Sequence, residues 1–108
     1  MVKMLEEIFS GAGYRVHSAR SGEEALERYE EVLPDLVTLD VVMPGMDGIA
    51  TLERLREIDP ACRVIMVSAV GLEARVMEAI QKGARNYVLK PFDREKVLAA
   101  ARRVLDEY

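Results

Sequence analysis

Leu36-Val37-Thr38-Leu39 is an apolar or β-branched run that ends in a carboxylate, Asp40, with Pro34 ahead of it and the cluster Pro44-Gly45-Met46-Asp47-Gly48 behind. A run this short and this apolar reads as a strand buried on both faces. Such a strand belongs to a parallel sheet covered by helices on each side, which excludes most other architectures. Ligands meet a sheet of this kind just beyond the carboxyl ends of its strands. Asp40 therefore stands where a reagent reaches it, although on local grounds alone it also reads as a turn or cap residue.

The rest of the chain alternates to match. Met4, Leu5, Ile8 and Phe9 give a helix over residues 2–9, stopped by Gly11-Ala12-Gly13. Residues 14–19 alternate weakly and read as an outer strand. Ser21-Gly22-Glu23-Glu24 opens a second helix with Ala25, Leu26, Tyr29 and Leu33 on one face, and Pro34 ends it. Asp47 is the expected cap of a third helix over residues 48–58, with Ile49, Leu52, Leu55 and Ile58 inward. Residues 63–68 form a second buried strand, and residues 71–82 a fourth helix with Val76, Met77 and Ile80 inward. A third short strand, residues 86–90, ends in Lys90, and residues 93–107 close the chain as a helix. This order, one helix and then four strand-helix units, predicts an α/β doubly wound parallel sheet with right-handed crossovers. The first helix has no strand ahead of it.

Length and composition narrow the function. The 108 residues predict one domain spanning 1–108. Half are hydrophobic and 31% charged, a globular balance. A net charge of -4 with scattered Lys and Arg gives no footprint for nucleic acid. No apolar run reaches the roughly 18 residues of a membrane span, so a cytoplasmic protein is expected. The single cysteine, Cys62, excludes an internal disulfide and reads as a passive thiol. Met43, Met46, Met66 and Met77 read as core filler, and His17 as a surface imidazole.

Three strand ends carry an acid, a hydroxyl and an ammonium: Asp40, Ser68 and Lys90. Together they suit a phosphoryl group, the acid as nucleophile and the other two as partners for its oxygens. Singly, Ser68 reads as a helix cap, Lys90 as a snorkelling side chain and Tyr87 as a half-buried aromatic. Asp40-Val41-Val42-Met43-Pro44-Gly45-Met46-Asp47-Gly48, Val67-Ser68-Ala69 and Lys90-Pro91-Phe92 resemble the receiver domain of bacterial two-component response regulators, especially the single-domain chemotaxis type.

The resemblance implies that Asp40 accepts the phosphoryl group, that Ser68 is the switch hydroxyl and Ala69 the small residue beside it, and that Lys90 pairs with the phosphoryl oxygens. It implies a switch aromatic at Tyr87, a cis peptide before Pro91, and a magnesium ion held by Asp40 and the backbone carbonyl of Val42. The implied fold is flavodoxin-like, with five strands ordered 2-1-3-4-5. Partners would be a histidine kinase or phosphotransfer protein and an output target on the face of the fourth helix, last strand and last helix.

One departure stands out. The family opens with a strand ending in an acidic pair that holds magnesium, whereas residues 1–9 align with the first helix and place Glu6 and Glu7 inside it. Weak magnesium binding and impaired phosphorylation are expected. The missing strand is the central one, and the exposed edges it leaves recruit other chains, so a homodimer by edge pairing or strand exchange, direct pairing of the bordering strands, or a truncated chain completed by a partner's strand all stay open. Two functions stay open: a phosphorylatable signal-transduction receiver, and a phosphorylation-independent interaction module on the same scaffold. Neither is an enzyme.

Overall fold

The apolar run before Asp40 forms β1 (Val37–Asp40), which pairs in parallel with β2 (Val64–Ala69); β2 pairs in parallel with β3 (Asn86–Lys90). This computed structural model describes residues 2–19, 21–42 and 47–106. Five helices surround the sheet: α1 (Val2–Gly11), α2 (Gly22–Val32), α3 (Gly48–Ile58), α4 (Glu73–Gln81) and α5 (Arg94–Leu105). β2 lies in the middle of the three described strands, and Val64 through Ser68 are all buried, as its unbroken apolar run requires.

Pleating divides the strand residues between two cores. Leu39, Val64 and Met66 join Leu52 and Leu55 of α3 and Val76 and Ala79 of α4, with Tyr29 of α2 completing that side. Ile65, Val67 and Val88 face Leu5, Ile8 and Phe9 of α1 and Val97, Leu98, Ala101 and Val104 of α5. Leu52 and Leu55 are fully buried, each stabilising the fold by about 1.5–3 kcal/mol. Gly83, at φ +113, takes the left-handed conformation that turns the chain from α4 toward β3.

Several expectations are corrected. Residues 14–19 form no strand, and they do not close onto β1. A strand needs a neighbour for its N–H and C=O groups, and in the implied five-strand order that neighbour would be the central strand, which is not among the described residues. The described sheet therefore has three strands in sequential order, one fewer than the four strand-helix units predict. Leu33 caps α2 with φ 51 and a backbone N–H donated to the Tyr29 carbonyl, which turns its side chain off the helix face and leaves it 69% exposed.

Met77 is 56% exposed, because α4 meets β2 and α3 through the narrow stripe of Val76 and Ala79. Ile58, at the end of α3, and Met4 are likewise exposed. Met66 is in the core, whereas Met43 and Met46 lie outside the described residues. No helix among the described residues is long and apolar enough to cross a membrane.

Candidate functional site

Strand register brings the candidate residues to one rim. Asp40 pairs with Val67, Ser68 with Leu89 and Ala69 with Lys90, so the carboxyl ends of all three strands sit side by side. Lys90 Nζ lies 3.2 Å from Oδ1 and 3.2 Å from Oδ2 of Asp40, a single ammonium shared by both carboxylate oxygens. Both side chains are largely shielded, which strengthens the pair relative to one in open water. The Lys90–Pro91 peptide that follows is cis.

Ser68 is fully buried, and its hydroxyl donates to the carbonyl of Ala69 at 3.1 Å. Ala69 is exposed beside it. Tyr87, on β3 opposite Met66, is 45% exposed and turned outward. Val42 is exposed at the same rim, two residues beyond Asp40. Asp35 lies ahead of β1, at the end of the strand remote from Asp40. Glu6 lies within α1, as does Glu7.

The chain leaves Asp40 and returns at α3 in a tight corner. Gly48 donates its N–H to the Val41 carbonyl at 3.1 Å, and a Cβ on Gly48 would run into the Asp40 carbonyl. Asp47 starts α3: its Oδ1 accepts the Ala50 N–H at 2.8 Å, and its Oδ2 accepts from Arg75 Nη2 at 3.1 Å. The Ala50 N–H, with Arg75 adding to it, holds the Asp47 carboxyl below the usual carboxylate range. Arg75 in turn gives Nη1 to Glu78 at 3.1 Å.

Neither this ion-pair chain nor the Tyr29 hydroxyl, which donates to Asp59 at 2.7 Å, was marked in the sequence. The first joins residues 28 apart and the second residues 30 apart. The only local signal is the i,i+3 spacing of Arg75 and Glu78 on α4. Cys62 is buried, and burial raises its thiol above the usual range, as suits an inert side chain.

The described residues do not assemble a magnesium site by themselves. No group of three or more His, Cys, Asp or Glu side chains among them can hold a metal ion, and Lys90 already occupies both oxygens of Asp40. Magnesium demands an octahedral set of oxygens, and one carboxylate beside an ammonium falls short of it.

Residues 1–102 match the response regulator receiver domain family. The chain is 43% identical over 105 residues to the chemotaxis protein CheY of Thermotoga maritima, a match covering 96% of this chain and 88% of that protein. It is 38% identical over 102 residues to sporulation initiation phosphotransferase F of Bacillus subtilis, covering 94% of this chain and 82% of that one. Among solved structures, the receiver domain of NtrX from Brucella abortus superposes with a TM-score of 0.95 at 29% identity, covering 98% of this chain and 90% of its own. The CheX-CheY-BeF3-Mg+2 complex from Borrelia burgdorferi superposes with a TM-score of 0.91 at 43% identity, covering 98% and 81%. The three-motif rim, the parallel sheet between two helical layers and these matches agree, and the chain belongs to the response regulator receiver domain family of two-component signalling, with its α/β flavodoxin-like fold.

Proposed function

We propose that the chain is a signalling receiver whose phosphoryl acceptor is Asp40. The observation that carries this reading is the placement of Lys90 Nζ at 3.2 Å from each Asp40 oxygen, at the open carboxyl end of β1. An Asp40 oxygen attacks the phosphorus of a phosphohistidine, the P–N bond to the donor imidazole breaks, and that imidazole takes up a proton. Lys90 then pairs with the added phosphoryl oxygens. The Ser68 hydroxyl, released from the Ala69 carbonyl, donates to one of them. Ala69, as a small residue, leaves room for that approach, and Tyr87 follows the hydroxyl inward. The chain acts as a stoichiometric acceptor and not as a turnover enzyme.

Partners follow from the same reading. A histidine kinase or phosphotransfer protein supplies the phosphoryl group in the cytoplasm. An output target docks on the face of α4, β3 and α5, where Met77 and Tyr87 are exposed. The similar CheX-CheY structure, a two-protein complex that holds BeF3 and Mg+2, supports a protein partner and a magnesium ion on this scaffold. Asp40 and the Val42 carbonyl would contribute to such an ion only with further acids supplied by a second chain, since the described residues bring one carboxylate to the rim. The edge of β1 that β2 leaves unpaired is the place for a second copy to add, and a monomer by light scattering at micromolar concentration argues against that dimer.

The shortage of carboxylates among the described residues of the rim favours one other reading, a docking module that works without phosphorylation. Transfer of radiolabel from a phosphorylated histidine kinase separates the two. Label on the wild type and none on Asp40→Asn supports the acceptor. No label on a folded wild-type sample, with target binding unchanged in Asp40→Asn, supports the docking module.

A further inference from the structure

Arg75 sits in the first turns of α4 between two carboxylates, Asp47 at 3.1 Å and Glu78 at 3.1 Å. A guanidinium is a planar fork with fixed donor directions. With a different acid on each Nη, its orientation is set at both ends. Glu78 belongs to α4 itself, so the span to Asp47 ties α4 to the mouth of α3.

What lies at each end gives this tie its interest. Asp47 starts the helix whose first residue, Gly48, donates to the Val41 carbonyl and lies so close to the backbone of Asp40 that a Cβ there would meet the Asp40 carbonyl. Asp40 and the cap of α3 are therefore one packed corner. At the other end, α4 follows Ser68 after a short turn. Gly71 there adopts φ +100, and the Leu72 N–H donates to the same Ala69 carbonyl that accepts the Ser68 hydroxyl. The acid and the hydroxyl are thus linked through the sheet and, separately, through Arg75.

We infer that Arg75 is a positioning residue, which passes a change of charge at Asp40 to α4 through the ion-pair chain Asp47–Arg75–Glu78. This inference rests on Asp40 being the charged centre of the site. Its test removes that charge by substitution and needs no phosphorylation, so it fails separately from the acceptor reading.

Amide hydrogen exchange on α4 is measured in the wild type, Asp40→Asn, Arg75→Met and the double variant. Asp40→Asn is expected to change α4 exchange rates by roughly threefold or more when Arg75 is present, and to leave them unchanged in the Arg75→Met background. A purely structural Arg75 would shift the baseline but leave the response to Asp40→Asn intact. Asp47→Asn provides a second route, since Asn still caps a helix but loses the ion pair; it is expected to uncouple α4 as Arg75→Met does. An equal response with and without Arg75, a response surviving Asp47→Asn, or no response of α4 to Asp40→Asn overturns the inference.

Discussion

The ammonium of Lys90 bridges both carboxylate oxygens of Asp40, 3.2 Å from each, across 50 residues of sequence. Parallel register makes this contact possible: β1 and β3 flank β2 on opposite sides, and each ends at the same rim. The ammonium thus offsets the charge of a carboxylate that is only 20% exposed.

Replacing Lys90 with Met keeps the aliphatic stem and deletes the charge. Asp40 then has no cationic partner in a partly shielded position, and the loss of stability is expected to be about 1 kcal/mol. Urea unfolding reads this directly. The same variant is expected to accept phosphoryl more slowly than the wild type.

Gly48→Ala places a methyl group against the Asp40 carbonyl, at a point where backbone must move to admit it. Overpacking of this kind costs about 1–3 kcal/mol. The denaturation midpoint should fall accordingly, and amide shifts of Asp40 and Val41 should report the displaced corner.

Tyr29 and Asp59 give the fold an alkaline limit. Burial first, and the Asp59 carboxylate second, push the Tyr29 phenol well above its usual range. The folded state thus holds its proton more tightly than the unfolded chain. The resulting stability is full below about pH 10, the unfolded value, and is lost as pH rises beyond it. Tyr29→Phe is expected to cost about 1 kcal/mol at neutral pH and to flatten the alkaline fall in a urea-midpoint series.

Asp47 acts in the opposite sense. Its carboxyl is held down by the Ala50 N–H and by Arg75, so its contribution is present above the ordinary carboxylate range and fades as pH falls through the depressed value. Asp47→Asn should be less stable than the wild type at neutral pH, by less than about 1 kcal/mol because the pair is half exposed. The two proteins should converge in acid.

Most of the scaffold and the site was legible because local pattern and strand polarity carried it. β2 and β3 are short apolar runs between turns, α3 announces itself by Asp47 and the spacing of Ile49, Leu52 and Leu55, and Asp40, Ser68 and Lys90 are each read as strand ends. Residues 14–19 misled because a weak alternation becomes a strand only beside a partner. Leu33 and Met77 misled because apolar spacing gives no account of where a helix ends or how narrow its buried stripe is. Arg75 with Asp47 and Tyr29 with Asp59 were invisible, since each is a contact of polar side chains made only when separate helices pack.

The acceptor role of Asp40 is tested most directly by intact-protein mass after incubation with a small phosphodonor, with and without magnesium, using Asp40→Asn as the control. The account predicts a gain of one phosphoryl group that the Asp40→Asn protein lacks. An adduct of equal yield in Asp40→Asn, or none in a sample shown to be folded under every condition, would contradict it.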